Sequence, residues 1–196
     1  MLFASAAHAN SLADRIVEQL EASPAGCAPI AATHPHRQLV ESDVAALQQA
    51  TPVPAGVRFE VMDCSVDGFV HKGQTIVLSA RLSRLNAAQR FFIVAHELGH
   101  LRLAHHAAVS SFVARAVQGS ADEAAARAAV ASGLTPISHR NELDADAFAV
   151  RLMRDSGFDP EEAARLFDSI GEGRDNSTHP SAGRRARAIR ALGGQN

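Results

Sequence analysis

The chain has no tryptophan and no tyrosine among its 196 residues. Single-stranded nucleic acid is usually gripped by stacking bases on aromatic faces, and such platforms are lacking here. Lysine is almost missing too: Lys72 stands alone among arginines, a bias that reads as coding preference and says little about mechanism. Charge is close to balance, with 19 basic against 21 acidic side chains and a net charge of −2. That removes the electrostatic case for a nucleic-acid partner. Arg184, Arg185, Arg187 and Arg190 do cluster near the C-terminus, but their spacing suits one solvated helix face better than a phosphate patch. No apolar run approaches the roughly 20 residues that a helix needs to span a bilayer. Cysteine is scarce, only Cys27 and Cys64. An oxidising compartment could pair them, and two free thiols in a cytosolic protein are equally ordinary.

Against these absences stands one segment. His96-Glu-Leu-Gly-His100 lies at the centre of the apolar run Phe91–Leu103. Helical residues four apart stack on one face, about 6 Å from each other, so both imidazoles can point at one metal ion. Glu97 lies about 100° round the helix, from where its carboxylate can reach a water on that metal. The H-E-x-x-H spacing is what a zinc hydrolase uses, two neutral nitrogens with an adjacent base. Asn86 followed by Gln89 predicts an N-cap and a near capping box at the helix start. The flanking apolar residues predict burial, where two histidines and a glutamate would be costly without partners.

A catalytic zinc normally has three protein ligands and a water. Glu142 is the candidate third ligand. Asp146 shares its helix face one turn on, placed to accept the free ring N–H of a ligand histidine. Leu143, Ala147 and Val150 form a neighbouring stripe that can dock this helix on the core. A charged, solvated face is the ordinary alternative for such acids.

His-Glu-Leu-Gly-His, then Asn141-Glu-Leu-Asp-Ala-Asp146, then Ser177-Thr-His-Pro-Ser-Ala-Gly-Arg-Arg185, in that order, resembles the gluzincin zinc endopeptidases of the HtpX and CAAX prenyl protease type. The resemblance covers about residues 55 to 192. It implies that Glu97 is the general base, that His96, His100 and Glu142 bind zinc, and that Asp146 lies behind them. It implies that His179 lies near the metal, as oxyanion donor or as a latching fourth ligand, and that Arg185 is the family arginine. His105 matches a histidine common in the family. The lack of a membrane span favours the compact, soluble members of the family, and the end of the chain soon after the third motif leads us to expect no C-terminal repeat domain.

The remaining chain sets the scaffold. Val57–Val61 and Gln74–Ser79 read as two strands joined by a loop with Gly68 and Gly73. In the resembling family an edge strand here lines the substrate cleft. Ser11–Glu21 and Ser42–Gln49 read as helices and Ser23–His36 as a loop. Residues 107–139 read as helical, broken at Gly119 and at Gly133-Leu-Thr-Pro136. Pro160–Ile170 reads as a helix capped by Asp159, and Gly171–Thr178 as a polar loop that delivers His179. His8, His34, His36, His71, His106 and His139 read as surface or loop residues. Residues 1–9 end in Ala-His-Ala and are either the stump of an export signal or an Ala-rich tip.

The expectation is therefore an α+β, mainly helical, zincin-like fold with a small sheet packed on the H-E-x-x-H helix. Residues 1–22 would be an N-terminal tip and helix, and residues 23–196 a single metallopeptidase domain. The expected function is zinc-dependent endopeptidase action on protein or peptide substrates, in the periplasm or outside the cell, with a cytoplasmic location as the alternative. Rival readings are a regulator-cleaving metallopeptidase of the phage-repressor-inactivating type and a non-catalytic zinc-stabilised adaptor. The Thr-His-Pro segment argues against the first, and an intact Glu97 against the second.

Overall fold

The computed structural model describes residues 11–194. The expectation for residues 1–9, and for His8, lies outside that range. Within it the elements are α1 (Leu12–Leu20), β1 (Ala28–Pro29), α2 (Pro35–Ala50), β2 (Arg58–Asp63), β3 (Gly68–His71), β4 (Thr75–Ser79), α3 (Ala87–Arg102), α4 (His105–Gln118), α5 (Glu123–Asp155), α6 (Glu161–Ile170) and α7 (Ala182–Gly193). Helix dominates and the sheet is small, the α+β arrangement that the sequence implies.

The sheet has the order β1-β2-β4-β3. β2 runs parallel to β4, while β1 and β3 are antiparallel to their neighbours. β4 is buried along its whole length, which explains its unbroken apolar, β-branched run. The two expected strands are β2 and β4. The joining loop is more than a loop: Gly68–His71 forms β3, an edge strand too short to show an alternating pattern. The chain then reverses at Lys72 and Gly73, with φ of 50° and 61°. A Cβ at Gly73 would come within 2.9 Å of His106 Cδ2, so this turn needs glycine for space as well as for φ.

α3 packs across the sheet. Phe91, Phe92, Val94 and Leu98 enter one core with Ile76 and Leu78 of β4 and with α2, α5, α6 and α7. Its start is the expected capping box. Asn86 Oδ1 accepts from the Gln89 amide at 3.0 Å, and Gln89 Oε1 accepts from the Asn86 amide at 3.4 Å. Arg90 is nearly buried and pairs with Asp43 of α2 at 2.6 Å.

Several boundaries differ from the sequence reading. α2 begins at Pro35 instead of Ser42, because proline suits the first helical position and His34 Nδ1 accepts from the His36 amide as a cap. α4 ends at Gly119 as expected, but α5 runs unbroken through Gly133 and Pro136. Gly133 is a packing residue there, since a Cβ would meet Phe112 Cζ of α4 at 2.5 Å. Pro136 is exposed. The helix loses one internal hydrogen bond at Pro136 and is carried by its packing on either side. Pro160 takes the cap position of α6, and Asp159 Oδ1 still accepts from the Glu161 amide at 2.9 Å.

Cys27 and Cys64 are joined, with Cα atoms 4.4 Å apart and a sequence separation of 37. The bridge staples the chain at β1 to the end of β2. No helix among the described residues is long and apolar enough to cross a membrane.

A cross-link closing a loop of this length adds about 3–4 kcal/mol in the chain-entropy model. Replacing both Cys27 and Cys64 by Ser is expected to lower the unfolding free energy by that amount in a urea titration. Thiol counting on the unfolded, non-reduced protein is expected to find no free thiol, and two free thiols would refute the pairing.

Candidate metal centre

Ten consecutive residues of α3, Arg90 to Gly99, are buried, and His96 and Glu97 lie among them. α5 crosses α3 closely enough to set Glu142 and Asp146 opposite. The close approach depends on Gly99. A Cβ there would lie 3.2 Å from Phe148 Cδ1 and 3.3 Å from the Cα of Ala145. A glycine inside a helix costs about 1 kcal/mol against alanine. Here it lets two backbones touch and brings the ligand candidates together.

His96 Nε2 lies 3.0 Å from His100 Nε2. Glu142 Oε2 is 3.6 Å from His96 Nε2, and Glu142 Oε1 is 3.4 Å from His100 Nε2. Among the described residues these three alone form a group whose donor atoms all lie within 4.8 Å of one another. The other ring nitrogens are engaged. His96 Nδ1 lies 2.9 Å from Asp146 Oδ1. His100 Nδ1 lies 3.0 Å from Nδ1 of the buried His105. An imidazole that donates from Nδ1 offers a lone pair at Nε2; the Asp146 carboxylate selects that form for His96, and with His100 donating to His105 both lone pairs would point toward Glu142. Glu142 Oε2 is buried and has no partner in hydrogen-bonding geometry, although Arg185 Nη1 is 3.0 Å away. A cation between the three groups resolves both features. Two imidazole nitrogens and one carboxylate are a donor set that zinc accepts.

Asp146 is fully buried. Arg185 of α7 clamps it, Nε to Oδ2 at 2.8 Å and Nη2 to Oδ1 at 2.6 Å. Arg185 Nη2 is also 3.3 Å from His96 Nδ1. Both are donors when Nδ1 carries its proton, and Asp146 Oδ1 accepts from each. The guanidinium sits 4.3 Å above the Phe167 ring. Arg185 is thus buried in the site, apart from the solvated face that arginine spacing alone suggests, whereas Arg184, Arg187 and Arg190 are exposed and pair with Asp175, Glu172 and Glu161.

The electrostatics follow. Burial pushes the Glu97 carboxyl above the ordinary carboxylate range, and the nearby histidines only partly oppose this. Burial acts on Glu142 in the same direction, but the His100 contact and the surrounding positive groups outweigh it and hold the carboxyl well below that range. Asp146 is likewise held low against burial, mainly by Arg185. Burial and the adjacent His100 push His105 down to about 4, so it is neutral near pH 7.

His179 lies at the rim of the group. Its side chain is half exposed, and Nε2 is 3.7 Å from Glu142 Oε2. Six of the seven expected site residues therefore meet at one buried point, and the seventh faces it. The sequence reading did not single out two glycines. Gly99 is one. Gly68 of β3 is the other, because a Cβ there would approach Glu97 Cγ to 3.2 Å and Oε1 to 3.3 Å. From sequence Gly68 reads as a loop glycine, because β3 is too short to show a strand pattern that would mark it.

Two histidines and a glutamate with converging donor atoms, beside a second buried glutamate, suit a metal-dependent hydrolase. The sequence matches Peptidase family M48 over residues 32–192, and the chain belongs to that family. It is accordingly a metalloprotease. No curated protein matches the sequence.

Removing one member of a buried ion pair costs about 3–5 kcal/mol. Arg185→Met is expected to destabilise the fold by that order and to weaken metal affinity about 10–100-fold. Denaturant unfolding and a competition titration with a chromogenic chelator read the two effects. Parent-like values in both would mean that Arg185 does not brace the site.

Proposed function

We propose that the protein is a zinc-dependent metalloendopeptidase acting on extended or unfolded protein segments, as in proteolytic quality control, and that it is a minimal relative of the HtpX and CAAX prenyl protease type. The observation that carries this reading is the convergence of His96, His100 and Glu142 beside the buried carboxylate of Glu97. These three would hold the ion. When bound, zinc supplies Lewis-acid polarisation of the scissile carbonyl and an acidified water. Glu97 takes the proton from the attacking water and passes it to the nitrogen of the leaving amine. Burial suits Glu97 to this, since it raises the carboxyl's affinity for that proton. Asp146 orients His96, and Arg185 braces Asp146 and Glu142. His179 presents its imidazole to the reacting end of the substrate.

β3 supports the substrate class. Among the described residues it pairs only with β4, and its Gly68 lies against Glu97. An extended substrate that adds a strand to this edge gains backbone hydrogen bonds with little side-chain selectivity. Residues 23–196 are read as the peptidase domain and residues 1–22 as an N-terminal addition. The disulfide supports a periplasmic or secreted location.

The test is cleavage of an unfolded protein such as casein. Turnover is expected to stop with a chelator and to return with zinc. Glu97→Gln is expected to keep about one zinc per chain, by metal analysis, and to lose turnover by about 10²–10⁴-fold. Glu142→Ala is expected to lose the zinc. Bound zinc without turnover in the parent would favour the adaptor reading, and an empty Glu97→Gln site would make Glu97 a ligand.

A further inference from the structure

His179 is carried on an exposed loop, and an exposed histidine needs support to hold one orientation. The loop supplies it. Asn176 Oδ1 faces the backbone amides of Thr178 at 2.9 Å and His179 at 2.7 Å. Amides only donate, so the facing atom is the carboxamide oxygen and not its nitrogen. The same oxygen lies 3.0 Å from Thr178 Oγ1. A hydroxyl has one proton, and two acceptor oxygens this close repel unless that proton lies between them. Thr178 therefore donates to Asn176. Its oxygen then has only lone pairs to offer His179 Nδ1, which is 2.8 Å away. That nitrogen must bring the proton. A neutral imidazole has one N–H, so Nε2, the nitrogen facing Glu142, is bare.

The loop itself is anchored at several points. His139 Nε2, on α5 one turn before Glu142, lies 2.7 Å from the Asn176 carbonyl oxygen. Asp175 accepts from the Ser181 amide at 2.8 Å and from Arg184 Nη1 at 2.8 Å. The Asn176 amide donates to the His179 carbonyl at 3.0 Å, and Pro180 is buried.

We propose that Asn176 and Thr178 are positioning residues that fix the His179 ring with its proton on Nδ1 and its Nε2 lone pair turned to the metal centre. In this form His179 accepts a hydrogen bond at Nε2, which differs from the oxyanion donor and the latching ligand that the sequence resemblance offers. The inference rests on the zinc-peptidase reading for its consequence, but its test does not.

The test is two-bond ¹H–¹⁵N NMR of the ¹⁵N-labelled full-length protein, zinc-loaded and after chelation. It is run at about pH 8, above the ordinary histidine pKa of about 6.5. The His179 signals are identified by their loss in His179→Ala. Nδ1 is expected to carry the proton in both states of the parent. In the chelated protein, Thr178→Val and Asn176→Ala are expected to move the ring toward the Nε2–H form, and Thr178→Ser is expected to match the parent. With zinc, Thr178→Val is expected to lower kcat about tenfold or more with KM little changed, and Thr178→Ser to restore it. A proton on Nε2 in the parent, or a Thr178→Val spectrum like the parent's, would overturn the proposal. Zinc-dependent casein cleavage would survive either result, and its failure would leave the tautomer result standing.

Discussion

The buried pair of Arg185 and Asp146 is the constraint on which the site depends. Two charges in a protein interior are costly to desolvate, and they persist only where the geometry satisfies them. Here each Asp146 oxygen accepts from the guanidinium, and Oδ1 also serves His96. The remaining arm of Arg185 reaches Glu142. One side chain of α7 therefore braces the ring of His96 on α3, through Asp146, and the carboxylate of Glu142 on α5. Three helices that are distant in sequence become one unit, and donor atoms of His96, His100 and Glu142 lie within 4.8 Å of one another.

Such convergence also needs space. Gly99 lets α3 lie against the backbone of Ala145, and Gly68 lets β3 lie against Glu97. The same economy sets the electrostatics. At Glu97 burial outweighs the nearby positive groups and the carboxyl holds its proton more tightly than usual, whereas at Glu142 and Asp146 the positive groups outweigh burial and the carboxyls release theirs. Three carboxylates in one core thus take different characters from their neighbours.

Much of this was legible in the sequence, for reasons that are local. The H-E-x-x-H spacing, the Asn86 and Gln89 cap and the Glu142–Asp146 interval each depend on the helical period alone. What was not legible depends on contacts between elements. By spacing alone the four arginines near the C-terminus look alike; the family resemblance marks Arg185, and the position of Asp146 on another helix gives the physical reason that it is the buried one. Gly133 and Pro136 look like breakers, yet packing overrides the local rule, because Gly133 is required by the Phe112 ring of α4. β3 is too short for its alternation to register, and the true start of α2 was hidden by Pro35 and the cap from His34. The orienting contacts of Thr178 and Asn176 involve ordinary loop residues, whose roles appear only when their donors and acceptors are counted.

X-ray absorption at the zinc edge of the purified, zinc-loaded protein reads the metal's donor atoms themselves. A first shell of nitrogen and oxygen only is expected, at about 2.0–2.2 Å, with outer scattering from two or three imidazoles and a fit that needs one carboxylate. A sulfur scatterer at about 2.3 Å, or a shell with fewer than two imidazoles, would contradict this ligand set.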